Sequence, residues 1–328
     1  MAQSGANVIE SSENLAVVGL AEGFRAIPAH AGLLSRLRKR FVEGLYDLVV
    51  LVDYPGFHLR VAAAAAANDV PVLYYIAPQL WAWGSWRVKS IRKNVQQVAV
   101  VLPFEEEYFR SRGVSADFVG HPLLDSDLSL AAEDAWTSLD LTEGAPLLGL
   151  LPGSRASEIR RLWPSFRDAA KSLTESVPSL RVLVAAMDGI EYPGAPEFQY
   201  CRGNSAAVIG ASNAVLCKSG TATLEAALLG TPMVIAYRVH PLTYAVARPV
   251  VQVSHIGLVN VIAGHEVCPE LLQNAATPQA LVRAVRPLLD RTSVAASRQR
   301  DAFVQIRGQL GGPGATERVA DMVGRMVA

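Results

Sequence analysis

The chain is punctuated by eight short apolar runs, and helix-length segments separate most of them. The runs are LVVLVD (Leu48–Asp53), VLYYIA (Val72–Ala77), QVAVVLP (Gln97–Pro103), ADFVGHP (Ala116–Pro122), LLGLLPG (Leu147–Gly153), RVLVAAM (Arg181–Met187), NAVLCKS (Asn213–Ser219) and PMVIAY (Pro232–Tyr237). Strands that are apolar without alternation are buried on both faces, and helices between them make the sheet parallel. The pattern therefore predicts an α/β chain of doubly wound parallel sheets. Its 328 residues suit two domains at roughly 100–200 residues each. Hydrophobic residues make up 51% and charged residues 18%, enough apolar mass for two cores. The polar stretch from Asp125 to Ala145 breaks the alternation and ends at Gly144 and Pro146, as a linker does. The expected division is residues 1–140, residues 141–300, and closing helices over 301–328 that pack back on the first domain. Ala302–Leu310 or the stretch after Gly314 is placed to make that crossing.

Charge and cysteine usage narrow the class. Lys+Arg and Asp+Glu are 30 each, so no basic excess points to bulk nucleic-acid binding. Cys201, Cys217 and Cys268 are odd in number and lack metal-ligand spacing, which predicts reduced packing residues of a cytoplasmic protein. No apolar run approaches the length of about 20 residues that spans a bilayer. The start, MAQSGANVIESSENLA, lacks the basic and apolar pattern of a signal peptide. A doubly wound domain usually opens on a buried central strand. Here residues 1–14 are polar and the first good strand begins only at Leu48, so the first domain is expected to be unusual or to lack its opening strand.

Two strand–turn–helix junctions carry candidate chemistry. Ligands of open parallel sheets bind beyond the carboxyl ends of strands, where helix N-termini offer free N–H groups to phosphate. At the first junction Gly153 permits a tight turn, Ser154 can cap the next helix, and Arg155 offers a guanidinium fork to a diphosphate, or else a surface ion pair to Glu158. At the second, Ser219-Gly220-Thr221 is either an ordinary N-cap or a phosphate cradle. Glu225, read as one turn further on, can accept from two adjacent hydroxyls such as those of a ribose. Two such junctions in one domain point to a nucleotide. Asp53 ends an apolar strand, as a cleft carboxylate or as a turn aspartate.

LPGSRxxE followed by KSGTATLEAALLGTPMVIAYR resembles the donor half of sugar-nucleotide glycosyltransferases with two Rossmann-like domains facing a cleft, the GT-B architecture. VLVDYPGFHLR, YYIAPQLWAWGSWRVKSIRKNVQQVAVVLPFEEEYF, FVGHPLLD and GLVNVIAGHEVCPELLQ resemble, in matching order, the lipid-A-disaccharide synthase family. The resemblance implies an inverting transfer between UDP-2,3-diacylglucosamine and 2,3-diacylglucosamine 1-phosphate, giving a β-1,6-linked disaccharide and UDP, with no metal and no cofactor. It makes Asp53 the general base. It gives Arg155 the diphosphate, with Gly153 and Ser154 beside it. Ser219, Gly220, Thr221 and Glu225 become the phosphate and ribose site, and Asn260 a residue near the donor. Gly56 stands where the family often has a second acid. The family usually begins with a strand running into GExSGD, which this sequence does not contain, so the chain is expected to start downstream of that segment.

Three features stay open. Trp81, Trp83 and Trp86, followed by Arg87, Lys89, Arg92 and Lys93, are a nucleic-acid surface, a buried loop before a solvated helix, or, on the resemblance, a cleft wall near the acyl sugar, with Trp83 facing substrate. His121 in GHP is a turn residue or a substrate contact. His30–Leu45 places Leu33, Leu34, Leu37, Phe41 and Leu45 at helical spacing among Arg36, Arg38, Lys39 and Arg40. That is a core-packing helix with a basic outer face, or a peripheral contact with the inner face of the cytoplasmic membrane. The resemblance leaves room for a homodimer, of which the spacing gives no sign. Beside an active synthase stand another UDP-N-acetylglucosamine transferase or UDP-sugar epimerase of this architecture, and an inactive nucleotide-binding remnant.

Overall fold

The computed structural model describes residues 5–10, 20–128, 144–248 and 251–328. Its strands form two wholly parallel sheets. The first contains β1 (Val49–Val52), β2 (Val72–Tyr75), β3 (Gln97–Val100) and β4 (Ala116–Phe118), in the order β1-β2-β3-β4. The second contains β5 (Leu147–Leu151), β6 (Arg181–Ala186), β7 (Gln199–Arg202), β8 (Ala214–Lys218), β9 (Met233–Tyr237) and β10 (Glu270–Leu272), in the order β10-β9-β8-β5-β6-β7. All eight expected strands are present. They are shorter than the apolar runs, whose ends at Asp53, Pro103, Pro122, Gly153 and Ser219 lie in the turns that follow the strands. β7 and β10 were not expected. Both are short edge strands without a fully buried residue, so neither shows a continuous apolar run. The linker expected over 125–145 falls largely outside the described residues.

In the second sheet the chain winds outward from β5 through β6 and β7, then returns to lay β8 on the other side of β5. The loops that leave β5 and β8 therefore diverge and open a crevice between them. In the first sheet β1 is an edge, and Val50 and Val52, two residues apart on one face, are exposed.

One core lies against the first sheet, around Val61, Tyr74, Ile91, Val98 and Phe109. A second surrounds Leu150, Trp163, Phe166 and Leu216. A third is continuous across both sheets: Leu73 of β2 and Val101 just after β3, Leu147 and Val215 from the second sheet, and Phe303, Val319 and Met322 from the closing helices Val294–Gln309 and Ala315–Val327, with Leu310 at the end of the former. Of the two stretches placed to cross back, the one after Gly314 meets Asp125. That carboxylate accepts from the main-chain N–H groups of Gly314 (2.6 Å), Ala315 (3.1 Å) and Thr316 (2.8 Å) and from the Thr316 hydroxyl (2.7 Å). Arg318 adds a bond from Nε to the Val119 carbonyl at 2.8 Å. The last helix is thus capped by a carboxylate 189 positions earlier.

The basic helix runs over Leu20–Val42. Of the two readings left open for its apolar stripe, the core-packing one holds: Leu33, Leu34 and Phe41 are buried and Leu37 packs against them. Burying each such side chain contributes roughly 1.5–3 kcal/mol, so these residues do not turn outward for a shallow lipid contact. Arg36, Arg38 and Lys39 stay exposed, as do Val42 and Leu45.

Candidate active site

Gly153, two residues past the end of β5, has φ +129°, in the region that favours glycine. A Cβ there would sit 2.9 Å from Glu158 Oε2 and 3.1 Å from Glu158 Cβ. The chain bends at Ser154 and Arg155, and the helix Ala156–Ser176 begins with Arg155, itself extended, in the N-cap position and no side-chain cap bond. The expected Ser154 cap does not form, because the helix starts one residue too late for it. Glu158 holds the loop together. Its Oε1 lies 3.3 Å from Arg155 and 3.0 Å from Lys218 Nζ, and its Oε2 is buried without a hydrogen-bond partner among the described residues. Two cations on one carboxylate leave this corner with a net positive charge, next to an uncapped helix start.

The second junction resolves against an ordinary cap. Ser219 directs its hydroxyl away from the helix, donating to the Ile256 carbonyl at 2.7 Å. Gly220 is the N-cap, at φ +154° with no side-chain bond, and Thr221 opens the helix Thr221–Leu228 in an exposed position. Thr223, rather than Ser219 or Thr221, bonds back to the Gly220 carbonyl, at 2.7 Å. Glu225 lies one turn into that helix and accepts from Ser205 Oγ at 3.1 Å. Lys218 ends β8, and Arg155, the two uncapped helix starts and Glu225 follow the carboxyl ends of β5 and β8, at the crevice. This array suits a diphosphate with a vicinal diol behind it.

Asn260 does not join them as a free contact. It is fully buried, and its amide is saturated: Nδ2 donates to the Cys268 carbonyl and to Glu270 Oε1, both at 2.8 Å, while Oδ1 accepts from Val267 N at 2.8 Å and Cys268 N at 2.9 Å. Glu270 in turn accepts from Ile256 N and Gly257 N, both at 2.9 Å. Asn260 therefore pins the loop whose Ile256 carbonyl receives Ser219. Its only link to the Ser219 junction among the described residues is indirect, through this chain of bonds.

On the first sheet, Asp53 follows β1 with its side chain exposed. Asp53 and Tyr54 both have positive φ, 49° and 51°, and Tyr54 is the N-cap of the helix Pro55–Ala66. Left-handed non-glycine residues cost on the order of 1 kcal/mol each and persist only where neighbours enforce them. Here Asp53 N donates to the Tyr75 carbonyl at 3.1 Å, and the Asp53 carbonyl accepts from Tyr74 Oη at 2.7 Å and from His58 Nδ1 at 2.8 Å. Around them His30, Tyr54, Phe57, His58 and Tyr74 form a ring cluster, with His30 Nε2 2.8 Å from the Tyr54 hydroxyl.

The tryptophans divide. Trp81 is tucked in, its ring edge-on to Phe104 and its indole N–H donating to Glu105 at 2.9 Å. Burial raises the Glu105 pKa to about 7 against the bonds from Trp81 and Leu102. Trp83 and Trp86 are 44% and 61% exposed, with the Arg87 guanidinium 5.1 and 5.9 Å from their ring centres. The Ala82 carbonyl accepts from Gln252 N at 2.9 Å, so loops beyond the carboxyl ends of both sheets meet beside Trp83. His121 behaves as a turn residue. It is buried, its Nδ1 accepts from Leu123 N at 3.2 Å, and burial lowers its pKa to about 4. Sequence reasoning missed Lys218, His58, Glu105 and Glu270. The signals were there in part: a lysine just before Ser-Gly-Thr, and a histidine five residues past Asp53 in the first turns of a helix.

The family model for lipid-A-disaccharide synthetase matches residues 1–311. A lipid-A-disaccharide synthase of Trichlorobacter lovleyi is 40% identical, over 100% of this chain and 88% of its own length. That of Syntrophus aciditrophicus is 38% identical over 97% and 86%, and that of Geobacter sulfurreducens 37% over 100% and 87%. Among solved structures, the UDP-GlcNAc 2-epimerase of Neisseria meningitidis bound to UDP-GlcNAc superposes with a TM-score of 0.64, at 12% identity, over 90% of this chain and 81% of that one. The UDP-forming α,α-trehalose-phosphate synthase of Burkholderia vietnamiensis does so at 0.53 and 12%, over 95% and 81%. These two share the GT-B fold, while the sequence match through both sheets goes further: the chain belongs to the lipid-A-disaccharide synthase family.

Proposed function

We propose that the chain joins UDP-2,3-diacylglucosamine to 2,3-diacylglucosamine 1-phosphate, forming the β-1,6-linked lipid A disaccharide 1-phosphate and releasing UDP. The observation that carries the reading is the family match, which runs through both sheets. In this reading the acceptor's 6-hydroxyl attacks the anomeric carbon of the donor from the face opposite UDP. Asp53 takes the hydroxyl proton, and the bond from the anomeric carbon to the diphosphate breaks with its electron pair going to UDP. Arg155 and the uncapped N–H groups after Gly153 and Gly220 meet the charge that develops on the diphosphate, and fixed donors there lower the barrier. Lys218 keeps Glu158 neutralised when Arg155 turns to the ligand. Glu225 takes the ribose hydroxyls. Residues 1–140 hold the acceptor, 141–300 the donor, and the helices over 301–328 tie the two together.

The same reading places the enzyme against an anionic membrane surface. Exposed Arg36, Arg38 and Lys39 support it, although Arg36 also pairs with Glu10 at 2.7 Å. With the leucines of that helix in the core, the contact is electrostatic and shallow. The test is incubation with both substrates in detergent and detection of the disaccharide by mass. Disaccharide that appears only when both substrates are present supports the reading. Interconversion of UDP-N-acetylglucosamine with its 2-epimer, and no disaccharide, would replace it with the epimerase reading.

A further inference from the structure

We infer that His58 and Tyr74 are positioning residues for the Asp53 carboxylate, acting through the Asp53 main-chain carbonyl. The inference rests on the reading of Asp53 as general base. Two side chains from different elements converge on this one carbonyl: Tyr74 from β2, with its hydroxyl at 2.7 Å, and His58 from the helix Pro55–Ala66, with Nδ1 at 2.8 Å. A main-chain carbonyl has two lone pairs, so the pair of donors saturates it. The Asp53 N–H is also held, by the Tyr75 carbonyl on the neighbouring strand. The peptide units on both sides of the Asp53 Cα are therefore fixed, and the left-handed turn through Asp53 and Tyr54 is the only place the chain bends between β1 and the helix. Fixing both peptide planes fixes where the Asp53 Cβ points.

The chemistry of the two donors suits a static task. A carbonyl accepts only, so the His58 proton sits on Nδ1. Burial lowers the pKa of His58 against the opposing pull of the Asp53 main chain and charge, so the ring is a neutral, single-tautomer donor. Burial first, and then the Asp53 charge, hold the Tyr74 phenol well above its ordinary pKa, so it stays a donor. The rings support each other, with His58 edge-on to Tyr54 at 5.8 Å and to Tyr74 at 6.4 Å. A general base must lie within hydrogen-bond reach of the proton it takes, and a misplacement of about 1 Å can cost on the order of 100-fold in rate.

The test compares His58→Ala, His58→Asn and Tyr74→Phe with wild type for kcat, for KM of each substrate and for UDP affinity. His58→Ala is expected to lower kcat by roughly 10- to 100-fold with donor KM and UDP affinity unchanged. His58→Asn carries an amide N–H close to the position of Nδ1 and is expected to restore most of the loss. Tyr74→Phe is expected to lower kcat in the same way. Should His58→Ala not fold, the asparagine and phenylalanine variants decide the matter alone. Asparagine as inactive as alanine would overturn the inference, since the ring's own acid–base chemistry would then be at work. Wild-type kcat in Tyr74→Phe and His58→Ala would also overturn it. Full activity in Asp53→Ala would instead remove the base reading, whatever the His58 variants do.

Discussion

Asn260→Ala separates two accounts of this residue. If Asn260 touches the donor, its loss weakens donor binding and leaves the fold alone. The geometry requires the reverse order. Truncation removes all four hydrogen bonds of a fully buried amide and strands Val267 N, Cys268 N and the Cys268 carbonyl. Glu270 keeps its bonds from Ile256 and Gly257. Three stranded groups at roughly 1 kcal/mol each amount to about 3 kcal/mol, the low end of what buried unsatisfied groups cost. A cooperative unit of this size has on the order of 5–15 kcal/mol in total, so the loss is large. Urea titration followed by tryptophan fluorescence, with a thermal melt beside it, reads it directly. The expected result is an unfolding free energy lowered by about 3 kcal/mol, read as a lower urea midpoint at an unchanged slope, and a melt lowered by on the order of 10 °C. UDP affinity at a temperature where the variant is folded should fall only modestly, through the Ile256–Ser219 link. An unchanged melt together with lost donor affinity would refute the reasoning and return Asn260 to the ligand.

Two further predictions concern the turns and the crossover. Gly153→Ala forces a Cβ to within 2.9 Å of Glu158 Oε2 at a φ of +129°, so it should cost roughly 1–3 kcal/mol of stability and weaken UDP binding measured by calorimetry. Asp125→Asn should lower stability by about 1 kcal/mol at neutral pH, the usual worth of a helix cap discounted for an exposed group. The pH dependence has a definite sign. The small desolvation of Asp125, which acts upward, is outweighed by its bonds from Thr316, Gly314 and Ala315, so its pKa falls to about 2. Protonation therefore favours the unfolded chain. The contribution is complete above roughly pH 4 and is lost as pH falls toward 2, so wild type and Asp125→Asn should converge in acid melts.

The legibility of this chain follows its burial. Most of the eight recognised strands are apolar because both faces are covered, β1 with its exposed Val50 and Val52 being the exception, whereas QYCR and ELL are half-exposed edges that leave no such trace. Gly153 and Gly220 were legible as turns because few other residues reach their φ values. The hydroxyl of Ser219 was not: a helix-start serine normally caps its own helix, and only the fold brings Ile256 within reach. The basic helix was legible as amphipathic, but its spacing alone could not decide between core and membrane; the fold puts its leucines in the core. Tyr74 reaches Asp53 because β2 lies beside β1 in a register that pairs Leu51 with Tyr74, which no local spacing encodes. Nor does it encode the Asp125 cap of a helix 189 residues away.

The central claim is that Asp53 removes the acceptor proton in disaccharide formation. The most direct measurement is the turnover of Asp53→Ala with both diacylated substrates in detergent, alongside its UDP affinity. The account predicts a kcat lowered by roughly 100- to 10,000-fold with UDP affinity intact. Wild-type turnover in that variant would contradict it.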